Sequence, residues 1–260
     1  MFHVLLANWQ PFAAAAGFLL FLAWESGKPF ARRERRLRHL ARNLAVAGIN
    51  AALVAVVFAG ATVAVAEYAA ARRAGLLHLL GLPPATHLAG AFLLLDLWTY
   101  WWHRANHRVR FLWRFHRMHH SDPEMDVSTA TRFHLGEIAF SSLLRLGVIP
   151  VAGVPMVVLL AYDMILLAAT QFHHANLALA PRLDRIVRWL LVSPDMHKVH
   201  HSRYQPETDS NYTSVLSVWD RIFGTYREAD RNAIRLGLEE WDADKRQSVK
   251  GMMLTPLARA

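Results

Sequence analysis

Three short motifs carry most of the chemistry available to this chain. They are His103-Arg-Ala-Asn-His107, His116-Arg-Met-His119-His120 and His197-Lys-Val-His200-His201. Imidazole is the commonest metal-binding side chain. On a helix, residues three and four apart share a face, so HxxxH stacks two imidazoles in one stripe. In HxxHH the last two histidines both neighbour the first, yet diverge by about 100° around the axis. Such a helix can serve two adjacent metal ions at once. A lone histidine in an apolar chain is ordinarily a hydrogen-bonded core residue. Two copies of HxxHH with one HxxxH, flanked by hydrophobic spans, point instead to a metal site.

Composition narrows the chemistry. The chain has no cysteine, which excludes disulfides, iron–sulfur clusters and thiolate zinc sites. Any metal must be held by histidine, carboxylates or amides. Hydrophobic residues make up 54% of the sequence and are clustered, which argues for a membrane protein. The net charge of +9 lies beside the apolar spans. Positive loops on the cytoplasmic side of a membrane explain that placement, and no nucleic-acid partner is expected.

The elements that must position the histidines follow from hydropathy. Residues 4–23 form a first span, and the basic residues come after it, not before it as in a signal peptide. The loop from Trp24 to Asn43 holds Lys28, Arg32, Arg33, Arg35, Arg36, Arg38 and Arg42 against Glu25 and Glu34. This is the strongest positive-inside signal and sets the N-terminus outside. Residues 44–66 form a second span, and Leu76–Leu82 a short interfacial helix. Residues 88–102 return across the membrane, with Trp98, Tyr100, Trp101 and Trp102 as an aromatic belt. Three crossings then put the first two motifs on the cytoplasmic side. Asp96 lies two helical turns before His103 on the same face. As an intramembrane carboxylate it is a functional candidate, expected to orient a ligand imidazole.

Residues 138–172 are hydrophobic and interrupted by Pro150, Gly153 and Pro155. A hairpin that enters and leaves on one side is expected, because the third motif must meet the first two. Asp163 in its second limb needs a partner or a polar cavity. Ile186–Leu191, with Trp189, is expected along the interface. Residues 203–230 read as a soluble cap, and 231–260 as a charged tail with a helix near Leu236–Arg246 and a loose end. The expected fold is an all-α integral-membrane bundle of about three spans plus a hairpin, with a cytosolic helical cap holding a dimetal site. Three regions are expected: N-terminal membrane helices to residue 87, a histidine-box domain over 88–230, and the tail.

The same residues resemble the fatty acid hydroxylase / sterol desaturase superfamily of integral-membrane di-iron oxygenases. The likeness includes Asp96-Leu-Trp-Thr-Tyr-Trp-Trp-His103-Arg, Leu112-Trp-Arg-Phe-His116, Ser193-Pro194, Asn211-Tyr212 and Trp219-Asp-Arg-Ile-Phe-Gly-Thr225. Arg132-Phe-His134-Leu-Gly-Glu137 is similar to the family's Arg-x-His-Pro-x-Glu segment, with Leu135 in place of Pro; its His134 either joins the site or, with Glu137, caps the following helix. Phe172-His173-His174-Ala-Asn176-Leu177 resembles Phe-x-His-Ala-Asn-Leu, whose histidine joins the metal cluster. That match falls on His174, leaves His173 outward or behind the ligands, and gives Asn176 the role of holding a ligand in place.

The resemblance implies nine ligands, His103, His107, His116, His119, His120, His174, His197, His200 and His201. Nine nitrogens exceed what one tetrahedral ion takes and fit two. It further implies two iron ions, O2 as oxidant, a lipid substrate entering from the bilayer, and a C–H hydroxylation. Desaturation, or ether cleavage as in alkylglycerol-monooxygenase-like members, are the alternatives within the superfamily. Arg108, where that ether-cleaving branch has an acidic residue, and Thr213, in place of the more usual Gly, depart from its pattern. With no Gly-x-Gly-x-x-Gly and no cysteine cluster in the chain, electrons must come from a separate donor: a ferredoxin, a cytochrome b5-like protein or a pterin. A different class, a membrane metal transporter, would place its ligands along the midplane.

Overall fold

The computed structural model describes residues 2–32 and 35–258; Arg33 and Glu34 of the basic loop lie outside them. The described residues are helical, with isolated β-bridges and no strand among them. Helix α1 covers Phe2–Gly27. Helix α2, Arg36–Leu53, runs through a π turn at Val54–Phe58 into α3, Ala59–Ala71. After the short α4, Leu76–Leu79, comes α5, Pro84–Arg108, with Pro84 at its first position, where a missing N–H costs nothing. Helix α6 is Arg110–His120.

The expected hairpin is present. Helix α7, Leu135–Ala152, and α8, Met156–His174, are separated by Gly153 in a left-handed conformation (φ 78°) and by Pro155. Gly75 (φ 105°) lies against this turn. A Cβ there would stand 2.3 Å from the Gly153 nitrogen and 2.5 Å from the Pro150 carbonyl, so only glycine permits the contact. His87 Nε2–H donates to the Gly153 carbonyl at 3.0 Å and fixes the same corner.

Among the described residues, three stretches are long and apolar enough to cross a membrane: Arg36–Leu79, Leu135–Ala152 and Met156–His174. Their outer faces expose Val56, Val63, Leu143, Val151 and Ile165. Apolar surface so extensive is what a lipid-facing bundle presents and a water-soluble one avoids. Inside, Leu95, Ile149, Leu159 and Tyr162 form a packed core between α5, α7 and α8.

The polar cap is built from short pieces: α9 (Pro181–Leu190), α10 (Pro194–His200), α11 (Gln205–Thr208), α12 (Val218–Ile222) and α13 (Val249–Met253). On α9, Leu183, Ile186, Trp189 and Leu190 are exposed together. The tail differs from expectation. Leu236–Arg246 is not a helix but irregular chain around a single 3-10 turn at Glu239–Trp241. Nor is the end loose. Arg117 donates to the carbonyls of Thr255 and Ala258, and Arg114 to that of Pro256, so the tail packs beneath α6.

Candidate metal centre

The local sequence explains how each histidine is aimed. Ser193 Oγ accepts from the Met196 N–H and Pro194 takes the first helical position, so the Ser-Pro pair starts α10 just before its histidines. The buried Arg132 guanidinium donates to the Met118 carbonyl, the Ser121 hydroxyl and the Gln247 amide oxygen, closing the C-terminal end of α6. Phe133 stacks on the His119 ring at 4.4 Å.

The nine histidines gather into two adjoining groups. His103, His107, His116, His120 and His200 form one; His119, His174, His197 and His201 form the other, and within each the ligating atoms lie within 4.8 Å of one another. The helical geometry of HxxHH is visible in the partition. In α6, His116 and His120, four apart, serve the first group and His119 the second. In the third motif the assignment is mirrored: His197 and His201 serve the second group and His200 the first. The two groups touch through the stacked rings of His120 and His201, 4.4 Å apart.

Proton bookkeeping tests whether a cation fits. A neutral imidazole carries one proton. His103 Nδ1 faces the Tyr212 carbonyl at 2.6 Å, His200 Nδ1 the Ser210 carbonyl at 2.7 Å, and His116 Nδ1 the Glu137 carboxylate at 2.8 Å. Each acceptor fixes the proton on Nδ1. The three Nε2 lone pairs then converge, with His103 Nε2 3.1 Å from that of His116 and 3.0 Å from that of His200. In the second group, His174 Nδ1–H donates to the Thr170 carbonyl, and its Nε2 stands 3.0 Å from both His119 Nε2 and His197 Nε2. Ring nitrogens of His107, His120 and His201 are buried with no hydrogen-bond partner. Converging lone pairs repel one another and are satisfied by a positive ion at their centre.

Burial, reinforced by neighbouring imidazoles, pushes the pKa values of His103, His107, His119, His120, His197 and His201 well below 6.5. Burial takes His200 down to about 3. These seven rings are therefore neutral at physiological pH, the form that ligates metal.

Other sequence candidates are placed differently. Asp96 does not reach a ligand. Its carboxylate accepts from the Tyr162 hydroxyl, the Leu216 N–H and the Trp219 indole. Seven residues of helix separate it from His103 by about 10 Å along the axis, beyond the reach of a short carboxylate. It ties the cap to the membrane helices instead. Asn176 likewise holds no imidazole: its amide pairs with the N–H and carbonyl of Ala31, at 3.1 and 2.7 Å. His134 caps α7, accepting from the Gly136 N–H and donating to the Met253 carbonyl. His173 is not outward; it is buried, its ring 4.0 Å from that of His197, behind the second group.

Sequence reasoning missed Asp220. Its buried carboxylate accepts from the Tyr212 and Thr213 N–H groups, at 2.8 and 3.0 Å, and from the Thr213 and Thr225 hydroxyls. It therefore holds the loop whose carbonyls orient His103 and His200. Its only sequence signal was its place in the Trp219–Thr225 segment. Also missed was His39, set between the carboxylates of Asp122 and Asp126 at 2.9 and 3.0 Å. Burial would raise the Asp122 pKa, but His39 and Arg132 outweigh it and hold that carboxyl well below its usual value.

A cavity of about 350 Å³ opens onto both groups. Its floor is formed by His103, His116, His119, His174 and His197, and its walls by α5, α7 and α8.

The matches to known proteins fall on the histidine-bearing part of the chain. The fatty acid hydroxylase model matches residues 88–225. Human alkylglycerol monooxygenase is 33% identical over 148 residues, 57% of this chain and 32% of that protein. The ornithine lipid hydroxylase OlsE of Rhizobium tropici is 30% identical over 152 residues, 57% of this chain and 44% of that one. Protein CER1-like 2 of Arabidopsis thaliana is 25% identical over 166 residues, 61% of this chain and 26% of that protein. The chain thus spans less than half the length of each of these relatives. No solved structure is significantly similar. With more than half of its residues inside the matching model, the chain is an integral-membrane member of the fatty acid hydroxylase family.

Proposed function

We propose that this protein is a membrane-bound di-iron oxygenase that hydroxylates a C–H bond of a lipid. The observation that carries the reading is the apolar cavity floored by both histidine groups. The groups would hold two iron ions, His103, His107, His116, His120 and His200 around one and His119, His174, His197 and His201 around the other. Bound iron would supply the reductive activation of O2, one oxygen atom entering the lipid and the other leaving as water. The chain's own residues position the reaction. Leu166, Leu167 and Ile138 line the cavity with apolar surface that takes a hydrocarbon segment and keeps water out. Glu137, Ser210 and Tyr212 hold the imidazoles at fixed angles.

Charge supports a reading of side and donor. The basic loop packs at the histidine end of the bundle, through His39 on Asp122, Arg42 on Asp244 and Glu25 on the Val127 N–H. The positive-inside rule then puts the centre at the cytoplasmic surface. Electrons come from a separate reduced carrier with an acidic face. Arg104, Arg108 and Arg227 surround a surface pocket whose floor includes Ser210, the residue whose carbonyl accepts from His200.

The related alkylglycerol monooxygenases support ether cleavage as a second outcome of the same chemistry, since a hydroxyl placed beside an ether oxygen makes a hemiacetal that breaks down. Lipid analysis of cells with and without the gene, under isotopically labelled O2, tests both. A lipid product carrying one labelled oxygen is expected for hydroxylation, and a labelled aldehyde for ether cleavage. An unlabelled double bond identifies a desaturase. Metal flux into vesicles with no lipid product contradicts the enzyme reading.

A further inference from the structure

The cavity over the histidines is lined as far along α8 as Asp163, which is ion-paired with Arg145 inside the membrane hairpin. Lining residues follow one stripe of α8 at helical spacing: Asp163, Leu166, Leu167, Thr170, His173 and His174. From His174 up to Asp163 is about three turns, roughly 16 Å. Asp163 is the highest point at which α8 lines the cavity. Its carboxylate is bound by the guanidinium of Arg145, from the facing limb α7. Beside it, the Tyr162 hydroxyl meets the Thr99 hydroxyl at 2.8 Å, where the α5 wall ends. Above this level Leu95, Ile149 and Leu159 belong to the packed core.

Charged side chains in a membrane span are costly to keep and ordinarily mark a function. This pair is complete within the protein. The carboxylate already has its guanidinium, so neither charge requires a ligand to be satisfied. Below it the walls are largely apolar, with Ala130, Phe133, Ile138, Leu166 and Leu167 among them. A hydrocarbon chain fits the walls, and at this level its end meets two paired, part-exposed charges that it cannot solvate.

We propose that Arg145 and Asp163 form the end-plate of the lipid channel, setting the longest hydrocarbon segment that can lie between the reacting carbon at the histidines and the chain terminus. The inference rests on the lipid-oxygenase reading and deepens it: the substrate enters terminus first, and the pair limits its length. Removing both charges together, as Arg145→Ala with Asp163→Ala, avoids stranding one charge in lipid and frees the space the two side chains fill.

The test uses the metal-loaded full chain in lipid nanodiscs, with an even-numbered series of saturated fatty acids and alkylglycerols from medium to very long chains. Two readouts are taken: chain lengths retained by the protein in native mass spectrometry, and chain lengths oxygenated in the presence of a reduced carrier and O2. The wild type is expected to show a ceiling in both. In the double variant the ceiling moves to longer chains. Leu166→Trp, which keeps the pair and fills the channel below it, moves the ceiling to shorter chains. Equal ceilings in all three proteins overturn the proposal. So does a uniform loss of retention at every length in the double variant, which would make the pair a receptor for a polar group. Retention with a shifting ceiling but no oxygenated product overturns the oxygenase reading and leaves the end-plate standing.

Discussion

The Nδ1–H of His116 meets the Glu137 carboxylate at 2.8 Å, across the turn that joins α6 to α7. This contact fixes the ring proton of a central imidazole and turns its other nitrogen toward His103. Loss of such an outer partner typically costs about 10- to 100-fold in metal affinity. Glu137→Ala is therefore expected to lower metal content by that order, while Glu137→Gln, which keeps an acceptor oxygen, does so less. Metal titration of both variants checks this. Wild-type affinity in Glu137→Ala would show that the contact is incidental.

The Asp220 carboxylate serves four donors in one buried loop. Asp220→Ala strands them, at about 1–3 kcal/mol for each buried group left unpaired. The variant should unfold at clearly lower temperature in detergent, and it should also lose metal, because the Tyr212 and Ser210 carbonyls drift from His103 and His200. A destabilised protein with full metal content would separate the loop from the centre.

Asp96 gives the opposite expectation. It joins α5 to the cap through Leu216 and Trp219 and touches no histidine. Asp96→Ala is expected to lower stability by roughly 2 kcal/mol or more through unpaired buried donors, with both metal ions retained per folded molecule. Metal loss from protein that remains folded would place Asp96 among the groups that orient ligands.

The titration of the imidazoles sets a pH trend. The folded-state pKa values of His103, His107, His119, His120, His197, His200 and His201 lie below 6.5, about 3 for His200, so between those limits the unfolded chain holds protons that the folded one does not. Stability is thus full above about pH 6.5 and is lost as pH falls through that window. Metal-stripped protein should show Tm falling steadily on acidification from neutrality. A Tm that holds or rises over the same interval would mean that the rings are already charged in the folded state.

Much of the site was legible because metal ligation by helices is a matter of spacing. The i, i+3, i+4 pattern of His116, His119 and His120 fixes which ring faces which neighbour, whatever surrounds the helix. The hairpin was legible for a related reason: Pro150, Gly153 and Pro155 interrupt a helix locally. Asp96 was misread because its partners, Leu216 and Trp219, come from distant chain and only docking brings them near. The same holds for Asn176, whose amide is taken by Ala31. The charges of the tail suggest a helix near Leu236–Arg246 and a loose end. In the fold, Arg114 and Arg117 of α6 donate to the tail carbonyls of Pro256 and Thr255, a pairing that composition cannot reveal.

The central claim is that imidazoles from distant segments form one two-ion cage. Its most direct test is the metal count per folded chain in the wild type, His119→Ala and His200→Ala, by elemental analysis of protein purified with iron present throughout. Two ions are expected in the wild type. Each variant should fall toward one, His119→Ala by weakening the four-nitrogen group and His200→Ala the five-nitrogen group, and both should lose turnover. A single ion in the wild type, or two ions and full activity in both variants, would contradict the account.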